Sequence, residues 1–306
     1  MSRIILISFF IALISNFAAA QTDTNNPHTV LWKVYHPQNQ DTSYLFGVNH
    51  NFTGAYLDRF PIIKEKLLSS YAVLNEFDLL HIKQEGSSLK FEDSLLWFHY
   101  VTKKQRRRIM NFFVDHHYME SFINTLDIYN LHSIFNTIVG FYYAKTLESK
   151  KGEEQLEYYC ARLAKDNNII TAGLENMEEH FGNMHQIYSY TPVPVVAEMK
   201  QSATLLDSLI NIYQKKPESY VPDFADWMKD YYHLNFSYDF KTTPSLDDLT
   251  NKNIMERNQR WLPELTLLFE NHPAFIIVGV SHLCYTWGII SLLREKGYIV
   301  EPVKMD

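Results

Sequence analysis

The sequence predicts an α/β (α+β) chain. Two β-α-β half-site repeats, at about 29–80 and 273–304, form a central mixed sheet with a long, mostly helical insertion between them at about 91–271. Three observations predict it. The phrase Gly-Val-polar-His occurs near both ends, as Gly47-Val48-Asn49-His50 and Gly279-Val280-Ser281-His282, each closing a strand-like apolar run. Each phrase is followed by a helical stretch and then a second apolar strand that carries a glutamate, Glu76 or Glu301. Between the two units the apolar residues recur at a helical period, as in Leu156, Tyr159, Cys160 and Leu163.

Residues 1–20 read as a secretory signal peptide. Arg3 supplies the positive start, residues 4–14 the apolar centre, and Ala18-Ala19-Ala20 the small-residue cleavage site. The apolar part is too short for a stable membrane anchor, and no other stretch reaches that length. The expected mature protein, 21–306, is therefore exported, to a periplasm or to the medium.

Residues 29–35 and 43–47 pair as a hairpin across the turn-rich Pro37-Gln38-Asn39-Gln40-Asp41. A helix near 57–70 and a strand at 71–76 complete the first unit. Helices fill 91–168, and Ile169-Ile170-Thr171-Ala172 forms a strand that ends at Gly173-Leu174-Glu175. Helices then run to about 270, broken at Thr191-Pro192-Val193-Pro194, at Lys216-Pro217 and by the loop 235–244. The second unit closes the chain with a strand at 275–278, a helix at 287–296 and a strand at 298–301. No low-complexity linker divides the sequence, so one domain is expected.

Composition excludes some functions. The 306 residues carry 28 Lys and Arg against 35 Asp and Glu, and an acidic chain lacks the basic face that nucleic acid requires. Lys103-Lys104-Gln105-Arg106-Arg107-Arg108 reads as a solvated helix face. The twenty Tyr and twenty Phe read as core, with Tyr142-Tyr143, Tyr158-Tyr159 and Tyr231-Tyr232 packing helices or lining an apolar groove. Two cysteines, Cys160 and Cys284, permit a disulfide in an oxidising compartment or stand as separate buried thiols. No Gly-x-Ser-x-Gly, His-Glu-x-x-His or phosphate-cradling Gly loop occurs, which removes serine hydrolases, ordinary zincins and nucleotide enzymes.

The candidate site rests on the repeated histidines. Ten Gly and thirteen His predict roughly 0.4 chance matches to Gly-x-x-His, and a third match, Gly182-Asn183-Met184-His185, has no strand before it. Context distinguishes the outer two. A strand ending in Gly can turn sharply through positive φ and present an imidazole at the sheet's end, where open α/β sheets place their sites. Brought together, His50 and His282 are two nitrogen donors for one metal ion. Glu76 is the best oxygen donor, because it interrupts an apolar strand where an unpaired carboxylate would be expensive. Glu175 closes its strand in the same way and is read as a further ligand, a general base or a helix N-terminal carboxylate. Arg257 is the fork that suits a buried carboxylate or a substrate carbonyl. Asn49 and Ser281 flank the histidines as candidate orienting groups. His116, His117, His180 and His185 read as solvent-facing helix residues, and Glu301 as structural, beside Pro302 at a sheet edge.

Taken in order, Tyr44-Leu45-Phe46-Gly47-Val48-Asn49-His50, Leu74-Asn75-Glu76-Phe77-Asp78, Gly173-Leu174-Glu175 with Glu178-Glu179, Glu256-Arg257-Asn258 with Trp261, Val278-Gly279-Val280-Ser281-His282-Leu283, Leu292-Leu293-Arg294 and Gly297-Tyr298 resemble the TraB/GumN family, related to the Tiki metalloproteases. The likeness spans nearly all of the chain after residue 30. The chain departs from the family where His180 replaces a frequent Gln, and where Cys284-Tyr285 stands near a frequent Gly. The resemblance implies a metal-dependent hydrolase acting on a peptide or protein substrate. His50, Glu76 and His282 then hold a divalent ion (Mn, Fe, Co or Zn, which a mixed N/O site does not separate), with Glu175 and Arg257 as catalytic groups. The wider superfamily also implies an alternative, a non-catalytic exported protein that binds haem or another ligand.

Overall fold

The computed structural model describes residues 26–39, 41–80, 96–148, 154–176, 179 and 196–305. The signal segment 1–20, His180, the Gly182-to-His185 match and the break at 191–194 lie outside the described residues. Six strands, β1 (Leu31–Tyr35), β2 (Ser43–Val48), β3 (Ala72–Phe77), β4 (Ile170–Glu175), β5 (Ala274–Gly279) and β6 (Ile299–Pro302), form one sheet in the order β4-β3-β5-β2-β1-β6. The first four in that order run parallel, whereas β1 is antiparallel to both β2 and β6. The sheet is mixed, as the sequence predicts. Every residue of β5 is buried, which is why Ala-Phe-Ile-Ile-Val-Gly reads as an unbroken apolar run and not as an alternation.

The two β-α-β units interleave. β5 lies between β2 and β3, so each histidine-bearing strand is the direct neighbour of the other. β6 instead lies at the far edge, and the two units are not symmetric about the site.

Nine α-helices occur among the described residues: α1 (Pro61–Leu68), α2 (Lys103–Asp115), α3 (Glu120–Ile123), α4 (Ile128–Leu147), α5 (Leu156–Asp166), α6 (Val196–Lys215), α7 (Ala225–Tyr232), α8 (Leu249–Asn271) and α9 (Ile289–Glu295). Their starts carry local signals. Thr102 and Gln105 close a capping box on α2, Asp127 and Asp248 accept backbone N–H groups at α4 and α8, and Pro61 opens α1. None of the described helices is long and apolar enough to cross a membrane.

Among the described residues, two apolar clusters fill the interior. One packs Trp32, Phe46, Phe275 and Ile276 of the sheet against Trp261 of α8 and Leu293 of α9. The other belongs to the insertion, with Phe112 and Phe113 of α2, Phe135 of α4 and Leu206 of α6. Cys160 and Cys284 are separate, buried, free thiols. On α2, Lys103, Lys104 and Arg107 face solvent while Arg108 pairs with Asp207 at 2.8 Å, so the basic run is largely a solvated face.

Candidate functional site

The carboxyl ends of β4, β3, β5 and β2 meet along one side of the sheet, and each delivers one residue. Glu175 ends β4, Glu76 stands next to the end of β3, His282 sits in the 3-10 turn Val280–Leu283 directly after β5, and His50 follows β2 by two residues. The parallel register sets them level, with Phe77 opposite Glu175 and Val48 opposite Gly279.

Positive φ is not what the two glycines supply. Gly297 is the one glycine with positive φ among the described residues, and Gly279 has φ −51° and ψ 134°. Their function is close approach. A Cβ on Gly279 would stand 2.9 Å from His50 Nε2 and 3.2 Å from Glu76 Oε1. A Cβ on Gly47 would meet Leu283 Cδ1 at 2.9 Å and Val280 Cγ2 at 3.0 Å. Each motif's glycine therefore makes room for the other motif.

His282 is buried and its tautomer follows from its neighbours. Asn258 Nδ2 donates to the carbonyls of His282 and Trp287 at 3.0 and 3.1 Å, which turns Asn258 Oδ1 toward the ring. His282 Nδ1–H donates to that oxygen at 2.6 Å, leaving Nε2 as an acceptor for Arg257 Nη1–H at 3.2 Å. Burial, with Arg257 and His50 nearby, lowers the His282 pKa to about 3 against the pull of Glu76, so the ring is neutral at pH 7.

Arg257, on α8, is the centre of the network. Nη2 donates to Glu76 Oε2 at 2.6 Å and to Glu175 Oε1 at 2.7 Å, while Nε donates to Glu175 Oε2 at 3.2 Å. Its guanidinium lies 4.6 Å from the Trp261 ring centre, and the same indole packs on His282 at 4.8 Å. Burial alone would raise the Glu76 pKa. His282, Arg257, His50 and the Gly279 N–H, which donates to Oε1 at 2.7 Å, outweigh it and hold the carboxyl well below the ordinary range.

His50 stands at the mouth of a cavity of about 340 Å³, lined also by Val48, Glu76, Phe77, Ile254 and Ile277. Its Nδ1 is hydrogen-bonded to Glu157 Oε1 of α5, and Gln155 Nε2 donates to its carbonyl at 3.3 Å. Its side chain stays 60% exposed; the cavity wall takes some hydration from the ring and lowers its pKa, but Glu157 and Glu76 more than compensate and raise it to about 9. The two imidazoles thus shift in opposite directions, His50 up and His282 down.

All five residues singled out in the sequence meet here. His50 Nε2 lies 3.9 Å and His282 Nε2 3.7 Å from the same Glu76 Oε1. Glu175 is set behind Arg257, only 2% exposed, with its oxygens accepting from Arg257 and Arg260. Glu301 is remote, on β6, paired with Lys33 at 2.7 Å. Asn49 does not orient the ring as anticipated: its Oδ1 turns back on its own loop, accepting from Asn51 N at 3.1 Å. Ser281 lines the cavity. Glu157 was not singled out, because a carboxylate in the first turn of a helix ordinarily answers the macrodipole. Asn258 carried no signal beyond its place beside Arg257.

The donor set has the chemistry of a divalent site, two imidazoles and a carboxylate. Two ligands of one ion with bonds near 2.0–2.2 Å lie about 3–4 Å apart, as each imidazole does from Glu76. Among the described residues, however, no group of three or more His, Cys, Asp or Glu side chains is closed up to hold an ion. Arg257 stands on the Nε2 side of His282.

The sequence profile of the TraB/PrgY/gumN family matches residues 30–302. The chain belongs to the TraB/PrgY/gumN family. The match runs from before β1 to the end of β6 and takes in both histidine motifs and every candidate site residue above. Comparison with curated proteins and with solved structures gave no significant match. The departure at Cys284-Tyr285 has a structural counterpart, since Tyr285 adopts φ 72°, a conformation that favours glycine.

Proposed function

We propose that this TraB/PrgY/gumN protein is an exported metal-dependent hydrolase that cleaves peptides, with His50, Glu76 and His282 holding a divalent ion (Mn, Fe, Co or Zn). The observation that carries the reading is the approach of both imidazole Nε2 atoms to Glu76 Oε1, at 3.9 and 3.7 Å, on the wall of a cavity. The charge balance supports it too. Glu76, Glu157 and Glu175 face Arg257 and the half-exposed Arg260, and the remaining negative charge favours a bound cation or a proton on His50. Export rests on the signal-like residues 1–20.

When bound, the ion would polarise the scissile carbonyl and acidify a water molecule. The chain's own residues do the rest. Asn258 keeps the proton of His282 on Nδ1 and its Nε2 free of one. Arg257 lines the cavity with its N–H groups committed to Glu76, Glu175 and His282 Nε2, so it fixes the carboxylates and the imidazole at the cavity wall. Glu175, with its oxygens engaged by two arginines, fixes Arg257 in place and is not the proton acceptor in this scheme. A cavity of about 340 Å³ with apolar walls of Val48, Phe77 and Ile277 admits a short stretch of peptide.

Elemental analysis of the purified protein, beside His50→Ala and His282→Ala, tests the reading. One divalent ion per chain, lost in both variants, is expected, together with hydrolysis of unstructured peptides restored to stripped protein by one ion. Wild-type protein that takes up no ion, or that shows a haem Soret band, would overturn it.

A further inference from the structure

Glu157 occupies a position at His50 that parallels the one Asn258 occupies at His282. In both cases a side chain from a helix outside the β-α-β units bonds to the imidazole Nδ1, and in both cases Nε2 is left on the Glu76 Oε1 side. The Glu157 side chain is only 12% exposed, and its second oxygen, Oε2, is buried without a hydrogen-bond partner. A carboxylate removed from water at that cost, with one oxygen unsatisfied, is retained poorly by stability alone. The surrounding backbone fixes the approach. Leu156 N donates to Phe52 O at 3.0 Å, Gly54 N donates to Glu154 O at 3.1 Å, and Gln155 holds the His50 carbonyl. Thr53 is tied further by the buried Glu148, to which its N–H and hydroxyl donate at 3.0 and 2.7 Å. The start of α5 is thus stapled to the loop that carries His50.

We propose that Glu157 is the positioning residue of His50: it accepts the Nδ1–H and so turns Nε2 toward Glu76, completing at the first motif what Asn258 does at the second. The functional consequence rests on the metal-site reading above, whereas the positioning itself does not. Outer partners of ligating histidines commonly contribute 10–100-fold in metal affinity.

The test uses the full mature chain with Glu157→Gln and Glu157→Ala, each checked for folding by circular dichroism. The glutamine variant keeps an oxygen that can accept the Nδ1–H; the alanine variant does not. Histidine-labelled protein without added metal should show a solvent-protected Nδ1–H resonance of His50, assigned by its absence from His50→Ala. It should persist in Glu157→Gln and vanish in Glu157→Ala. Titration with Mn²⁺ or Zn²⁺ should show affinity reduced about 10–100-fold in Glu157→Ala and largely recovered in Glu157→Gln. A protected resonance that survives in folded Glu157→Ala would overturn the positioning role, as would equal affinities in all three proteins. Wild-type protein that binds neither ion would sink the metal reading alone, and the resonance would still decide the role of Glu157.

Discussion

Gly279 and His50 share one space. The imidazole Nε2 lies 2.9 Å from where a Gly279 Cβ would be, so the second motif's glycine is the seat of the first motif's histidine. The converse holds between Gly47 and the residues flanking His282, Val280 and Leu283. The motif is therefore reciprocal, and its glycine is required by the neighbouring strand.

Reciprocity predicts crossed effects. Gly279→Ala should displace the His50 ring and Gly47→Ala should displace His282, each destabilising by about 1–3 kcal/mol through overpacking. Histidine side-chain spectra with thermal unfolding check both. Gly279→Ala leaving the His50 signals in place would contradict the shared space.

Glu76 and Glu301 occupy matching places in the two units but opposite places in the sheet. Glu76→Gln is expected to lower metal affinity or activity by about 10–100-fold. Glu301→Gln should change stability by no more than about 1 kcal/mol, the usual worth of an exposed pair such as that with Lys33. Metal content and chemical unfolding of both variants decide it; equal, small effects would remove Glu76 from the site.

Arg257→Met would leave Glu76 and Glu175 buried without their shared counter-charge, and a loss of about 3–5 kcal/mol is expected. Arg257→Lys should recover only part of it, because an ammonium cannot reproduce the fork on two carboxylates. Urea unfolding measures both. A Lys variant as stable as wild type would show that charge alone matters here.

Cys160 is fully buried and Cys284 is 8% exposed. Burial pushes the Cys160 thiol well above its usual range and Cys284 up to about 12. Neither should react with a thiol reagent in native protein, and two thiols per chain should appear on unfolding without reductant. Fewer than two would mean that the pair oxidises.

Local pattern determined much of this protein by itself. The order of strands and helices, the fully apolar β5 and the two histidine motifs could be read because period and composition are properties of neighbouring residues. Glu76 was legible for the same reason, as a charge inside an apolar strand. Tertiary structure decided the rest. Nothing local says that β5 inserts between β2 and β3, yet that insertion brings Gly279 against His50 and leaves Glu301 at the far edge with Lys33. Nor does a first-turn glutamate on α5 reveal that it meets a histidine 107 positions earlier. Likewise the site of Arg257, between Glu76, Glu175 and His282, depends on how α8 packs across the ends of three strands. Such contacts join residues far apart in the chain, and only the packing of the sheet against the helices that cover it sets their distances.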